Sequence, residues 1–356
     1  MSSSVTVERF LELSKEFPVL DVRSPGEYNH AHIPGAISFP LFTDEERKVV
    51  GTAYKRESRK KAIAIGLDFF GPKMRKMVEA AEKLVPQQNA PTILVHCWRG
   101  GMRSGAVAWL LQIYGFKVFT LAGGYKQYRQ WVLQQFAKTY PFVILGGYTG
   151  SGKTEILQAL QQIGGVMLNL EAIASHKGSA FGNLGMPPQP GAEQFENNLA
   201  HTLQKVQLLA EENQHKVIWV ESESRRIGNI NLPADIFNQL LQAPLYFLDI
   251  PFETRLNYLV NTYGQFPVDQ LQNAIERISR KLGGLDAKMA IDFLQKGEIK
   301  DCFTILLKYY DKFYQKGYLA TSPISFTIQA NEIEPIKLAK QLLDNYQPIT
   351  WKTTTD

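Results

Sequence analysis

The chain has 356 residues, of which 44% are hydrophobic and 21% are charged. This is the composition of a globular protein, and the length is enough for about two domains with separate cores. No run of 18 apolar residues predicts a transmembrane helix, and Glu8 and Arg9 lie where a signal peptide needs its apolar core. The two cysteines exclude a disulfide framework or a cysteine-rich zinc site. We therefore expect a cytoplasmic protein with no membrane partner.

The positive charge is concentrated in one segment. The net charge is +5, but residues 1–140 carry +8 and residues 47–76 alone hold ten basic and two acidic residues. Such a segment is typical of a surface that binds a polyanion. The alternative interpretation is a lysine-rich helix face that is merely solvated. The residues predicted to contact the polyanion are Lys55, Arg56, Arg59, Lys60 and Lys61.

Short β-rich runs alternate with helical patterns along the chain, which predicts an α/β fold with parallel sheets. In the first part, the predicted strands are residues 19–22, 36–39, 92–96 and 118–121, and the predicted helices are 104–114 and 126–138. A boundary after the second helix gives domains at 1–138 and 139–356. In the domain predicted at 139–356, the predicted strands are 142–145, 166–170, 217–220, 245–250 and 325–328, with helices at 193–211 and 271–282. The Pro- and Gly-rich residues 182–191 predict a mobile loop over a site.

A cysteine opens the loop between strand 92–96 and the following helix. Backbone N–H groups of such a loop point inward and the helix dipole adds a positive field, so the loop is suited to an anion. Together with Arg99 and Arg103, this field favours a thiolate at Cys97, the form that acts as a nucleophile or sulfur-family carrier. The alternative is a buried structural cysteine. The predicted anion loop is Cys97, Trp98, Arg99, Gly100, Gly101, Met102 and Arg103.

Residues 20–28, Leu-Asp-Val-Arg-Ser-Pro-Gly-Glu-Tyr, and residues 32–36, His-Ile-Pro-Gly-Ala, resemble the first half of a rhodanese domain. The resemblance covers about residues 5–135 and places Cys97 at that family's catalytic position, with Asp21, Arg23 and His32 as structural residues. The loop is one residue longer than in ordinary sulfurtransferases, and its Cys-x5-Arg spacing is shared with cysteine-dependent phosphatases. The wider ring of N–H donors fits a tetrahedral oxyanion. A phosphatase, an arsenate reductase and an enzyme using thio- or selenophosphate all remain open.

A second phosphate-binding motif begins the other domain. Residues 147–154 form a complete Gly-x4-Gly-Lys-Thr P-loop between a predicted strand and a predicted helix. The loop N–H groups hold phosphates, Lys153 neutralises the outer ones and the Thr154 hydroxyl can ligate Mg²⁺. The predicted phosphate-binding residues are Gly147, Tyr148, Thr149, Gly150, Ser151, Gly152, Lys153 and Thr154.

An acidic residue at the end of a later strand usually completes the magnesium shell of a P-loop site. Glu221 follows strand 217–220 and is the first candidate, with Asp249 as the alternative. His176 is predicted either as an acid/base or phosphate contact or as a histidine in a turn. The further candidates for this second site are Glu171, Ser179 and Arg225.

A rhodanese-like domain followed by this P-loop unit resembles the tRNA 2-selenouridine synthase family over nearly the whole chain. The hallmarks are residues 96–104, 147–154, 176–182 and 221–228. Asn169 stands where the family more often has Asp, which puts a metal role at this position in doubt.

The resemblance implies replacement of sulfur by selenium in wobble-position 2-thiouridine of tRNA, through an S-geranyl-2-thiouridine intermediate. It implies geranyl diphosphate and selenophosphate as co-substrates, with Mg²⁺ expected at the P-loop. The tRNA would bind the basic segment, and an enzyme that supplies selenophosphate would be a further partner. Cys97 would either carry selenium as a perselenide or shape the selenophosphate site. The competing hypotheses are an ATP-dependent P-loop kinase or NTPase fused to a sulfurtransferase or Cys-x5-Arg phosphatase-like domain, and a non-catalytic rhodanese-type module.

Overall fold

The computed structural model describes residues 3–85, 91–316 and 324–346. Two compact units are present. The first runs up to Gln135 and includes Glu196–His201, and the second comprises Phe136–Phe195 and the residues from Thr202 onward. Both are α/β units built on a parallel sheet, which confirms the predicted fold class. The domain limits at 1–138 and 139–356 stay a prediction.

The first unit contains a five-stranded sheet in the order β1-β5-β4-β2-β3. Its elements are β1 (Ser3–Val5), α1 (Val7–Leu13), β2 (Val19–Asp21), α2 (Pro25–His30), β3 (Ile37–Ser38), α3 (Asp44–Arg56), α4 (Arg59–Phe70), a 3₁₀ turn (Gly71–Lys73), α5 (Met74–Glu82), β4 (Thr92–His96), α6 (Met102–Ile113), β5 (Lys117–Leu121) and α7 (Gly124–Phe136). All four strand pairings are parallel. Strand β4 is therefore central, and the cysteine loop follows its carboxyl end.

The second unit contains a five-stranded parallel sheet in the order β12-β11-β6-β8-β7 and a small antiparallel pair, β9 with β10. Its elements are β6 (Phe142–Gly147), α8 (Lys153–Gln162), β7 (Met167–Leu168), α9 (Leu170–Ala174), α10 (Ala192–Glu212), β8 (Ile218–Glu221), β9 (Arg226–Ile227), β10 (Ile230–Asn231), α11 (Ala234–Gln242), β11 (Leu245–Asp249), α12 (Phe252–Tyr263), α13 (Val268–Leu282), α14 (Gly284–Gln295), α15 (Ile299–Lys316), β12 (Ile324–Gln329) and α16 (Pro335–Asp344). Strand β6 is central, so the P-loop leaves the middle of the sheet.

Two predicted element limits are wrong for local reasons. The predicted strand 166–170 ends at Leu168, because the Asn169 side chain accepts a hydrogen bond from the Ala172 N–H group at 2.8 Å and begins helix α9. The predicted helix 104–114 begins earlier, so Met102 and Arg103 lie in the first turn of α6 rather than in the loop.

The second unit has two hydrophobic cores. One lies around the sheet, where β6 is buried along its whole length as expected for a parallel strand covered on both faces. The other is formed mainly by helices α12 to α15 together with Phe181 and Leu184. Among the described residues, no helix is both long and apolar enough to cross a membrane.

Candidate functional site

The cysteine loop is wrapped closely around a buried sulfur. The Cys97 side chain is only 3% exposed, whereas residues 98–102 are exposed. Gly100 has a φ of +63°, and a Cβ atom there would lie 2.5 Å from the Leu121 carbonyl oxygen. A Cβ atom on Gly124, at the start of α7, would lie 2.4 Å from the Cys97 carbonyl oxygen. Only glycine fits these two positions, and it is glycine that lets the loop close.

The environment of Cys97 favours its thiolate. Burial raises the pKa of the Cys97 thiol, but the Ser104 hydroxyl, 3.2 Å from Sγ, and the N–H groups of Ser104, Gly101 and Arg99 outweigh burial and bring the pKa below its ordinary value. A larger fraction of the sulfur is therefore ionised at neutral pH than in a free cysteine.

Arg103 is bound to a carboxylate. Its Nη1 atom lies 2.6 Å from Oε2 of Glu27, and Nε of Arg47 lies 2.9 Å from the same oxygen. Burial raises the pKa of Glu27, but Arg103, the Ser24 N–H group and Arg47 lower it to about 2. The thiolate at Cys97 is thus stabilised by Ser104 and by the loop N–H groups, that of Arg99 among them, while the Arg103 side chain is paired with Glu27.

A buried ion pair lies beneath the loop. Arg23 and Asp21 are 1% and 0% exposed and 2.6 Å apart, and Arg23 also donates to the Ala31 carbonyl oxygen at 2.7 Å. The Arg23 guanidinium lies 3.8 Å from the Tyr125 ring centroid. His96 is fully buried, and burial lowers its pKa to about 4, so it is neutral at pH 7. These contacts support the structural role expected for Asp21 and Arg23.

The P-loop brings its lysine and threonine to one carboxylate. Gly152, with a φ of +71°, turns the loop into α8. Lys153 Nζ donates to the Gly147 carbonyl oxygen at 3.2 Å and lies 3.5 Å from Oε1 of Glu221. The Thr154 hydroxyl donates to Oε2 of Glu221 at 2.8 Å. Glu221 therefore lies beside the P-loop lysine and threonine, and its role as a magnesium-shell residue stays a prediction.

Two more carboxylates join Glu221. Oxygen atoms of Glu171, Glu221 and Glu223 all lie within 4.8 Å of one another. Burial and the Glu221 charge raise the pKa of Glu171 to about 8, and burial with both neighbouring carboxylates raises the pKa of Glu223 as well. These oxygen donors, with the Thr154 hydroxyl, are the ligand type that Mg²⁺ prefers, so the residues fit this ion.

The cluster and the P-loop line a cavity of about 290 Å³ within the second unit. Its polar side consists of Thr149, Gly150, Ser151, Gly152, Lys153, Thr154, Glu155, Glu171, Lys177, Gly178, Ser179, Glu221, Ser222, Glu223 and Ser224. The rest of the wall is Phe181, Tyr258, Leu259, Thr262, Tyr263, Phe303, Leu306, Leu307, Tyr310, Phe313 and Tyr314. Gly147 and Tyr148 lie outside the lining, as do residues 182–191. The residues of this region that line the cavity lie just before the predicted loop, between Lys177 and Phe181.

Three of the six candidates for the second site lie outside the cavity lining: His176, Arg225 and Asp249. Asp249 and Arg225 are exposed, and Asp249 does not join the carboxylate cluster, so it is not the alternative to Glu221 that was predicted. His176 packs between two backbone segments: a Cβ atom on Gly182 would lie 2.6 Å from its Cε1, and one on Gly228 would lie 2.7 Å from its Cδ2. This geometry favours the interpretation of His176 as a histidine in a turn.

The predicted polyanion contacts form a basic surface on the first unit, defined as Lys55, Arg56, Arg59, Lys60 and Lys61. Lys55 and Arg56 end α3, the other three form the first turn of α4, and all five are exposed. Basic side chains at a helix N-terminus oppose the helix dipole. An anion bound at this surface would offset this unfavourable interaction between the basic side chains and the helix dipole.

The sequence of this chain matches two known domain families and several proteins of known name. Residues 140–337 match the AAA domain of tRNA 2-selenouridine synthase, and residues 6–130 match the rhodanese-like domain. A tRNA 2-selenouridine synthase of Bdellovibrio bacteriovorus is 34% identical over 80% of this chain and 81% of its own. The chain belongs to the tRNA 2-selenouridine synthase family. A Sulfurovum member of the family is 32% identical over 89% of this chain and 93% of its own, and a Serratia proteamaculans member is 38% identical over 70% and 65%.

The two candidate sites fall in different parts of the family match. The Cys97 loop lies in the part that matches the rhodanese-like domain. The P-loop, the carboxylate cluster and the cavity lie in the part that matches the AAA domain of the synthase.

Proposed function

We propose that this chain converts wobble-position 2-thiouridine of tRNA to 2-selenouridine in two steps, with geranyl diphosphate and selenophosphate as co-substrates. The observation that carries the proposal is the presence of two anion-binding loops in one chain of this family, one with an activated thiol and one with a lysine and a carboxylate cluster. A thiocarbonyl sulfur is a poor leaving group, whereas an S-alkylated sulfur leaves as a neutral thiol.

The first step is alkylation at the P-loop. The 2-thiouridine sulfur forms a bond to C1 of the geranyl group, the C1–O bond breaks, diphosphate departs and the N3 proton is released. The loop N–H groups and the Lys153 ammonium hold the departing charge. Thr154, Glu171, Glu221 and Glu223 are the residues that would hold Mg²⁺, which supplies further charge neutralisation for diphosphate. On this reading the P-loop need not hydrolyse ATP.

The second step takes place at the cysteine loop. Selenium adds to C2 of the S-geranyl nucleoside, geranylthiol leaves, and water takes the phosphoryl group of selenophosphate as phosphate. The N–H groups around Cys97 hold the selenium donor. In the other form of the proposal, the Cys97 thiolate attacks selenium, the Se–P bond breaks with phosphite as the leaving group, and Cys97 carries selenium as a perselenide. That selenium then adds to C2 as geranylthiol leaves, and an added thiol forms a disulfide with Cys97 and leaves selenium on C2. Intact-protein mass spectrometry after addition of selenophosphate distinguishes the two, because the perselenide adds the mass of one selenium atom.

The basic surface is proposed to bind the tRNA backbone. Five exposed cations on two adjoining helices, next to the half-exposed Tyr54, offer phosphate contacts and a ring for base stacking. A tRNA substrate implies action in the cytoplasm, where a selenophosphate-supplying enzyme would also act.

The test is incubation of the purified protein with 2-thiouridine tRNA, geranyl diphosphate and selenophosphate, followed by mass spectrometry of the tRNA nucleosides. We expect 2-selenouridine with both co-substrates and S-geranyl-2-thiouridine with geranyl diphosphate alone. ATP turnover stimulated by tRNA, without alkylation from geranyl diphosphate, would instead support the kinase or NTPase hypothesis.

A further inference from the structure

The cavity of the second unit has two chemically different sides. Beside the P-loop and the carboxylates, its wall is built from apolar and aromatic side chains of α12 and α15. Four of these side chains are buried in the helical core of the second unit: Leu259, Phe303, Leu306 and Leu307. The cavity volume of about 290 Å³ is suited to one small ligand rather than to a macromolecule.

Three of the four tyrosine hydroxyls of this wall are already hydrogen-bonded. The Tyr310 hydroxyl accepts from the Ala180 N–H group at 3.3 Å, and the Tyr314 hydroxyl lies 2.7 Å from Oγ of Ser222. The Tyr258 hydroxyl is hydrogen-bonded to Glu155. What this wall offers a ligand is therefore mostly carbon surface, which matches a hydrocarbon chain better than the polar edge of a nucleotide base.

Aromatic rings adjoin both sides of the cavity. The Tyr263 ring centroid lies 5.9 Å from that of Phe181 and 6.3 Å from that of Phe303, and Lys177 Nζ lies 5.7 Å from the same Tyr263 centroid. Ring faces attract positive charge. Tyr263 can thus contact a carbon atom that becomes positive while Lys177 contacts the negative group that leaves it.

One apolar residue of the cavity lining is exposed. Phe313, on α15, is 63% exposed although it lines the cavity. A ligand that covered this ring would remove apolar surface from water, which is favourable in proportion to the area buried.

We propose that the α12–α15 side of the cavity binds the hydrocarbon chain of a prenyl diphosphate whose diphosphate lies on the P-loop. This inference rests on the proposed function for the identity of the substrate class. The hydrocarbon chain of the ligand would contact a wall that includes Leu259, Phe303, Leu306 and Phe313. Tyr263 would contact the allylic carbon from which diphosphate departs.

The test is calorimetric titration of the full-length protein with inorganic diphosphate, dimethylallyl diphosphate and geranyl diphosphate. For the wild type we expect affinity to rise with chain length, at least tenfold from inorganic to geranyl diphosphate. Phe313→Ala should weaken geranyl diphosphate about fivefold and leave inorganic diphosphate unchanged. The matched control is Leu285→Ala, since Leu285 is 72% exposed in the same unit and lies outside the cavity lining. It should bind all three ligands as the wild type does.

Equal affinity of the wild type for the three ligands would overturn the inference. An equal loss of affinity for geranyl diphosphate in Phe313→Ala and Leu285→Ala would overturn it as well. The alkylation assay separates these failures from failure of the proposed function. If the protein alkylates 2-thiouridine tRNA but its affinity does not depend on the length of the hydrocarbon chain, only the proposed hydrocarbon-binding wall is refuted. Chain-length-dependent binding that needs Phe313, without alkylation of 2-thiouridine tRNA, supports the chain site and refutes the function.

Discussion

The Sγ atom of Cys97 lies 3.2 Å from the Oγ atom of Ser104, inside a loop whose N–H groups also stabilise the thiolate. The hydroxyl comes from the first turn of α6, so the same helix start supplies both the hydrogen bond and the positive dipole end. The Ser104 hydroxyl also donates to the Gly101 carbonyl oxygen at 3.1 Å, and of the hydrogen bonds that lower the pKa of the Cys97 thiol its contact with Sγ contributes most.

Ser104→Ala should raise the pKa of the Cys97 thiol. A lowered pKa means that thiolate is present at pH values above it, so raising the pKa reduces the thiolate fraction at pH 7. We expect alkylation of Cys97 by iodoacetamide to slow roughly three- to tenfold at this pH, with the inflection of the pH–rate profile displaced to higher pH. Ser104→Thr, which keeps a hydroxyl, should retain the wild-type inflection. An unchanged inflection in Ser104→Ala would show that the N–H groups act without Ser104.

Thr154→Ala should raise the Mg²⁺ requirement of the P-loop site. Its hydroxyl binds Glu221 at 2.8 Å and would be shared with the ion. The Mg²⁺ concentration that half-saturates binding of inorganic diphosphate should rise about tenfold, while Thr154→Ser should resemble the wild type. If neither Thr154→Ala nor Glu221→Gln changes the Mg²⁺ dependence, the carboxylate cluster does not hold the ion.

Neutralising the basic surface should flatten the salt dependence of tRNA binding. Each lost phosphate contact lowers the slope of log affinity against log salt by about 0.7 to 0.9, so replacement of all five residues by Gln should lower the slope by about 3.5 to 4.5. Five other exposed basic residues, in the second unit, provide the control: Arg280, Lys281, Lys288, Lys308 and Lys312. An unchanged slope for the basic surface and a reduced slope for the control set would place the RNA on the second unit.

Local sequence was enough to predict both loops. A strand, a glycine-containing loop and a helix start form a single local unit, so the parallel sheets and both loops could be predicted before any tertiary contact was known. Glu221 could be predicted for the same reason, because it is the last residue of β8, which pairs with β6.

Residues brought in from a distance could not be predicted in this way. Glu27 lies 76 positions from Arg103, and nothing near either residue indicates that they pair. Glu171 and Glu221 are both predicted from the sequence for the second site, whereas Glu223, two positions after Glu221, is not, and only the tertiary structure brings the three carboxylates into one cluster. The cavity wall is likewise formed by helices far along the chain from the P-loop, which periodicity alone does not bring together.

The central claim is that the two loops perform separate half-reactions. Mass spectrometry of tRNA nucleosides after reaction with Lys153→Ala and Cys97→Ser tests it most directly, with circular dichroism confirming that both variants are folded. Lys308→Ala and Cys302→Ala serve as controls, because Lys308 is exposed outside the cavity and burial raises the pKa of the Cys302 thiol to about 12. Both should make 2-selenouridine.

Lys153→Ala loses the charge that faces departing diphosphate and should leave 2-thiouridine unmodified. Cys97→Ser replaces an ionisable thiol by a hydroxyl that stays protonated at neutral pH, and it should accumulate S-geranyl-2-thiouridine. If Cys97→Ser yields only 2-thiouridine, the cysteine acts before or during alkylation and the division of labour is wrong. If it makes 2-selenouridine at the wild-type rate, the selenium step does not use Cys97.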